Sequence, residues 1–164
     1  MAEIVSLEQL VYKIDFLRSK NKGLAVVATN GCFDILHIGH IRSLQKAKSL
    51  GNILVVGVNS DGSVKTIKGQ NRPINNENYR AEILAALACV DFVTIFPEST
   101  AEKFLETLKP NIYVKGDEYN LDNLPEAILV KKLGGSVVKI PMIPGASTTS
   151  IIEKLKPLDK GFAE

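Results

Sequence analysis

Five short, apolar, β-rich runs punctuate the chain: LAVVAT, ILVVGV, DFVTIF, IYVK and VVKI. Each is followed by a segment with helical character. Unbroken apolar runs of this length suit strands buried on both faces, the environment of a parallel sheet. Residues Ile41, Leu44, Ala47 and Leu50 trace one intervening helix, ended by Gly51. Pro125 opens another, which Gly134 and Gly135 stop. A leading helix starts at the capping-box spacing Ser6 to Gln9 and runs to about Ser19. Asn76 caps a helix through Ala88, and Ser99 to Glu102 has the spacing of a second capping box, opening a helix to Leu108. Ser147 or Thr148 caps a last helix. The pattern predicts an α/β fold: an open parallel five-stranded sheet with helices on both faces, in a single domain. Residues 1–23 are expected as a helix packed on the domain, 24–157 as the domain and 158–164 as a tail. The polar stretch 60–78 reads as a long loop with room for one helical turn.

Composition narrows the class. The chain has 164 residues, 45% apolar and 23% charged, with a net charge of +2. That balance gives no electrostatic signature of a nucleic-acid or membrane-surface binder. No apolar run reaches a membrane span and the N-terminus lacks a signal-peptide pattern, so a cytoplasmic protein is expected. Cys32 and Cys89 are isolated and read as free thiols.

Ligands of open parallel sheets bind beyond the carboxyl ends of the strands. That directs attention to the loops 30–40, 60–78, 116–122 and 141–148. The first reads TNGCFDILHIGH and holds the only two histidines, His37 and His40. No P-loop and no dinucleotide fingerprint is present. A strand nevertheless runs through a turn into a helix N-terminus, where free N–H groups and the helix dipole favour an anion. Three readings compete: local capping or packing by His37, a zinc pair from the HxxH spacing, and two imidazoles donating to a polyphosphate. Gly39 would let a ligand approach the backbone closely. Asp34 either orients a histidine or forms an Asx-turn.

The segment GCFDILHIGH resembles the HxGH signature of the nucleotidylyltransferase superfamily, whose fold is Rossmann-like. VGVNSDGSVKTIKGQNRPINNENYRAEILAALACVDFV, VKGDEY and the STT before the last helix are similar to heptose-phosphate nucleotidylyltransferases. NLDNLPEAILVKKLGG looks more like the stand-alone adenylyltransferase branch than the bifunctional kinase-transferase branch. Glycerol-3-phosphate cytidylyltransferases are cousins, with which Asp117 is shared, so a cytidylyltransferase acting on a polyol phosphate is the alternative.

The resemblance implies transfer of AMP from ATP to D-glycero-D-manno-heptose 1-phosphate, giving ADP-heptose and pyrophosphate for lipopolysaccharide or surface glycan synthesis. It implies His37, His40, Lys68 and Arg80 as catalytic groups around the triphosphate. Asn30, Gly31, Cys32, Phe33, Gly39, Arg72, Lys115, Gly116, Asp117, Ser147, Thr148 and Thr149 would bind the nucleotide. Mg²⁺ is expected to offset the triphosphate charge, with no protein ligand assigned to it. The expected partners are small-molecule substrates and a second copy of the chain as a homo-oligomer, with no nucleic acid and no membrane.

Overall fold

The computed structural model describes residues 1–155. The tail, 158–164, and the last residues of the expected domain lie outside the described residues. Strands β1 (Glu3–Ile4), β2 (Val26–Gly31), β3 (Ile53–Asn59), β4 (Phe92–Phe96), β5 (Ile112–Gly116) and β6 (Ser136–Ile140) form one parallel sheet, in the order β1-β4-β3-β2-β5-β6. The helices are α1 (Leu7–Lys20), α2 (Ile38–Lys48), α3 (Asp61–Lys68), α4 (Glu77–Ala85), α5 (Glu102–Leu108), α6 (Pro125–Lys132) and α7 (Thr148–Leu155).

Strand alternation sorts the core into two layers. Val26 and Ala28 of β2 join Leu10 and Ile14 of α1, Phe104 and Leu105 of α5, and Val130 of α6. Val27 faces the other way, with Leu44 and Ala47 of α2 and Ala81 and Leu84 of α4. All of these are buried, and each large side chain contributes about 1.5–3 kcal/mol.

Three expectations need correction. The sheet has six strands, not five, because Glu3 and Ile4 pair with Phe92 and Val93. Residues 1–23 therefore supply an edge strand as well as a helix. The stretch 60–78 is not one loop: Ser60 accepts a hydrogen bond from Ser63 N–H and caps α3, a helix of 8 residues. The second capping box does not form. Thr100 Oγ1 instead donates to Glu102 Oε2 at 3.1 Å, and the Ala101 N–H that opens α5 is met by Glu126 Oε1 from α6 at 3.2 Å. The box at Ser6 and the cap at Asn76 form as expected: each side chain accepts from the backbone N–H three residues on.

The chain runs outward from β2 in two directions, through β3 and β4 on one side and β5 and β6 on the other. The crevice where direction reverses opens between the carboxyl ends of β2 and β5.

Candidate active site

A cavity of about 460 Å³ occupies that crevice, and each of the four loops singled out in the sequence contributes to its wall. The loop after β2 shapes its floor. Phe33 adopts φ 47°, a left-handed conformation uncommon for a residue with a bulky side chain, and its ring lies 5.3 Å from that of His40. His37 is the N-cap residue of α2 and makes no capping bond. His40 sits in the first turn.

The two imidazoles stack, centroids 3.8 Å apart and planes at 25°. Two imidazolium cations at that distance would repel. Burial and the neighbouring His37 push His40 down to about 4, and burial lowers His37 as well. The shared environment therefore favours the neutral form of both rings. Their Nδ1 atoms are buried and have no partner among the described residues. Local capping by His37 is thus not what the structure shows. Nor does any group of three or more His, Cys, Asp or Glu side chains converge as a metal site among the described residues. Gly39 serves a purpose beyond ligand approach. A Cβ there would stand 2.9 Å from His37 Nδ1 and 3.0 Å from Cε1, so the missing side chain is what lets the rings stack.

Beside the histidine loop, the start of α7 brings Ser147, Thr148 and Thr149 to the same cavity. Ser147 Oγ caps the helix through Ser150 N–H, and Thr148 Oγ1 donates to Ile35 O at 3.2 Å, tying α7 to the histidine loop. Lys68, at the end of α3, lines the cavity and is exposed, a place where a cation also suits the helix dipole. Arg72 lines it too, with Nε donating to Asp34 Oδ2 at 2.5 Å. Asn30 accepts from the Tyr113 hydroxyl at 2.6 Å. Gly31, Cys32, Gly39, Lys115 and Gly116 complete the expected residues found in the wall.

Two expected residues lie outside it. Arg80 was expected to face the triphosphate, but its guanidinium is almost wholly buried and committed to the chain. Nε donates to Asn75 O at 3.0 Å, Nη1 to Cys32 O, and Nη2 to Asn59 O at 2.7 Å and Asp61 Oδ1 at 2.8 Å. It locks together the ends of β2 and β3 and the starts of α3 and α4. Asp117 Oδ1 accepts from Met142 N–H at 3.1 Å, joining the loops after β5 and β6. Among the described residues, the Asp34 carboxylate bonds to no histidine and closes no local turn. Its carboxylate accepts from Arg72 Nε, and from Ile74 N–H and Asn75 N–H at 2.7 and 3.0 Å. That holds the loop before α4 against the loop before α2.

The sequence reading missed other residues of the wall, among them Asn59, Ser99, Glu118, Tyr119 and Glu126. Glu126 reads in sequence as an ordinary first-turn acid, and only the fold reveals that it faces the crevice.

The cytidylyltransferase-like family model matches residues 28–154. The chain belongs to that family. It is a nucleotidyltransferase, and the cavity is its candidate active site. It is 47% identical over 154 residues to the Bifunctional protein HldE of Citrifermentans bemidjiense, covering 94% of this chain and 31% of that protein. Against the protein of the same name from Pseudomonas entomophila the identity is 44% over 153 residues. The chain thus spans about a third of the length of these curated relatives. Among solved structures, a lipopolysaccharide core biosynthesis protein from Thermoplasma volcanium matches with a TM-score of 0.61 at 33% identity, over 74% of this chain and 98% of that one. A pantoate-beta-alanine ligase from Francisella tularensis, at TM-score 0.63 and 19% identity over 96% of this chain and 74% of that one, shares the fold.

Proposed function

We propose that the protein transfers AMP from ATP to D-glycero-D-manno-heptose 1-phosphate, releasing pyrophosphate and ADP-heptose for surface glycan synthesis. The observation that carries this reading is the stacked pair of imidazoles at the head of α2, lining one cavity together with the start of α7. Helix N-termini attract polyphosphates, and neutral rings can donate N–H bonds to charge growing on the α-phosphate oxygens. The heptose assignment is supported by the relatives named above and by the motif resemblance along the chain. In the relatives' terms the chain corresponds to the adenylyltransferase part of a bifunctional protein.

An oxygen of the sugar phosphate attacks the α-phosphorus in line while the bond to the β-phosphate oxygen breaks. The nucleophile arrives ionised, so no general base is required, and catalysis is positioning plus charge stabilisation. Lys68 and the Ser147–Thr149 turn would hold the departing phosphates. Arg72 would face them from the Asp34 side. No metal cage converges among the described residues, and Asp34 spends both carboxylate oxygens on the chain. Mg²⁺, when bound with ATP, would offset the triphosphate charge, and no protein ligand is assigned to it.

A panel of ATP, CTP and GTP against heptose 1-phosphate and glycerol 3-phosphate, read by pyrophosphate release, tests the assignment. ATP with the heptose phosphate should give the highest kcat/KM. Turnover only with CTP and glycerol 3-phosphate would overturn it. His37→Ala and His40→Ala should each lower kcat by about 10²–10³ with the melting temperature preserved, the scale of losing one oriented donor.

A further inference from the structure

Lys115 is 9% exposed, lies at the end of β5 and lines the cavity, yet its ammonium has neither a hydrogen bond nor an ion pair among the described residues. It lies 4.9 Å from the Tyr119 ring centre and 5.7 Å from that of Tyr113. Glu126 is 7% exposed and lines the same wall from the start of α6. One of its oxygens accepts from Ala101 N–H, and no chain donor among the described residues meets the other. Both residues are largely buried, yet the ammonium and the second carboxylate oxygen make no bond to the chain among the described residues and open on the cavity, where a ligand can meet both.

Charge separates this wall from the rest. The triphosphate suits the two helix N-termini, Lys68 and Arg72. A carboxylate beside a triphosphate would repel it, whereas a carboxylate beside hydroxyl groups accepts their hydrogens. In-line displacement also requires the acceptor to enter opposite the departing pyrophosphate. We propose that Lys115 and Glu126 form the acceptor subsite. The ammonium donates to, and the carboxylate accepts from, adjacent hydroxyls of a polyhydroxylated phosphate ester, with the Tyr119 ring against its C–H face. Lys115, first grouped with the nucleotide, is thereby assigned to the acceptor. This inference rests on the transferase reading above.

The test measures both Michaelis constants in the pyrophosphate assay for wild type, Glu126→Gln and Lys115→Met. Glutamine keeps an oxygen for Ala101 N–H, and melting curves check that both variants fold. The expected result is an acceptor KM raised about 10- to 100-fold, with KM for ATP unchanged within about twofold. An acceptor lacking one of the hydroxyls should lose a similar factor on wild type and little more on Glu126→Gln, a non-additivity that a purely structural Glu126 would not produce. A rise in KM for ATP alone, or no change in either constant, overturns the subsite while leaving the transferase reading intact. No turnover by wild type with any pair in the panel overturns both.

Discussion

The two ends of the sheet treat polar side chains differently. At the amino ends of the strands, side chains complete the backbone. Asn52 Oδ1 accepts from Ala25 N–H at 2.8 Å, Asn111 Oδ1 from Val26 N–H at 2.9 Å, and Asp91 Oδ2 from Leu54 N–H at 2.7 Å and Lys48 Nζ at 2.6 Å. At the carboxyl ends, His37 and His40 keep buried nitrogens that the chain leaves unmet among the described residues, and the unpaired Lys115 ammonium opens on the cavity. An unmet buried group costs free energy, so satisfied groups mark the scaffold and unmet ones beside a cavity mark the place for a ligand. The cavity is part of the criterion: Thr94 Oγ1 in mid-sheet is also unmet, but it lines no part of the crevice.

Arg80 is the sharpest test, because it sits at the carboxyl end and behaves like the amino end. Replacing it with Met would strip donors from three carbonyls and from Asp61. Breaking a buried pair in this way costs about 3–5 kcal/mol, so the melting temperature should fall by roughly 10 °C. Lys115→Met, removing an unpaired buried cation, should leave the melting temperature level or raise it. Equal losses in the two variants would dissolve the distinction between the ends of the sheet.

That distinction also explains what could be read from the sequence. The histidine loop was legible because its residues are neighbours in the chain and follow a strand directly. The strands were legible because each is a continuous apolar run. The ties made by Arg80 were not legible because its partners Cys32 and Asn59 come from distant segments, and an arginine in a helix's first turns carries no local sign of them. Strand β1 is two residues long, too short for any periodicity, and exists only because β4 offers it an edge. Helix α3 was obscured by Gly62 and by β-branched Val64, Thr66 and Ile67, all weak helix formers. Glu126 is indistinguishable in sequence from an acid that merely suits a helix dipole.

The histidines give the next largest effect. His40 has a folded pKa of about 4 against 6.5 for the free side chain. Between those values the unfolded chain binds the proton more readily, so acid favours unfolding. The stability tied to the neutral ring is complete above pH 6.5 and is lost as the pH falls towards 4, up to about 3 kcal/mol. Melting temperature measured across that window should fall more steeply for wild type than for His40→Asn. Identical slopes would mean that the ring is better solvated than its position implies.

The smallest effect separates the stack from the scaffold beneath it. In a helix, Gly39→Ala gains about 1 kcal/mol of propensity, so α2 should form at least as well. The new methyl would nevertheless stand 2.9 Å from His37 Nδ1, closer than any real Cβ contact, while its 3.5 Å approach to Ala146 is ordinary. The ring, as the free end of a side chain, is what gives way, and it leaves the stack. Catalysis that depends on ring placement should then lose about 10- to 100-fold in kcat, with a melting temperature that is unchanged or slightly raised. A stable protein with full activity would show that the imidazoles can act without stacking, and that the glycine answers to the ligand's approach instead.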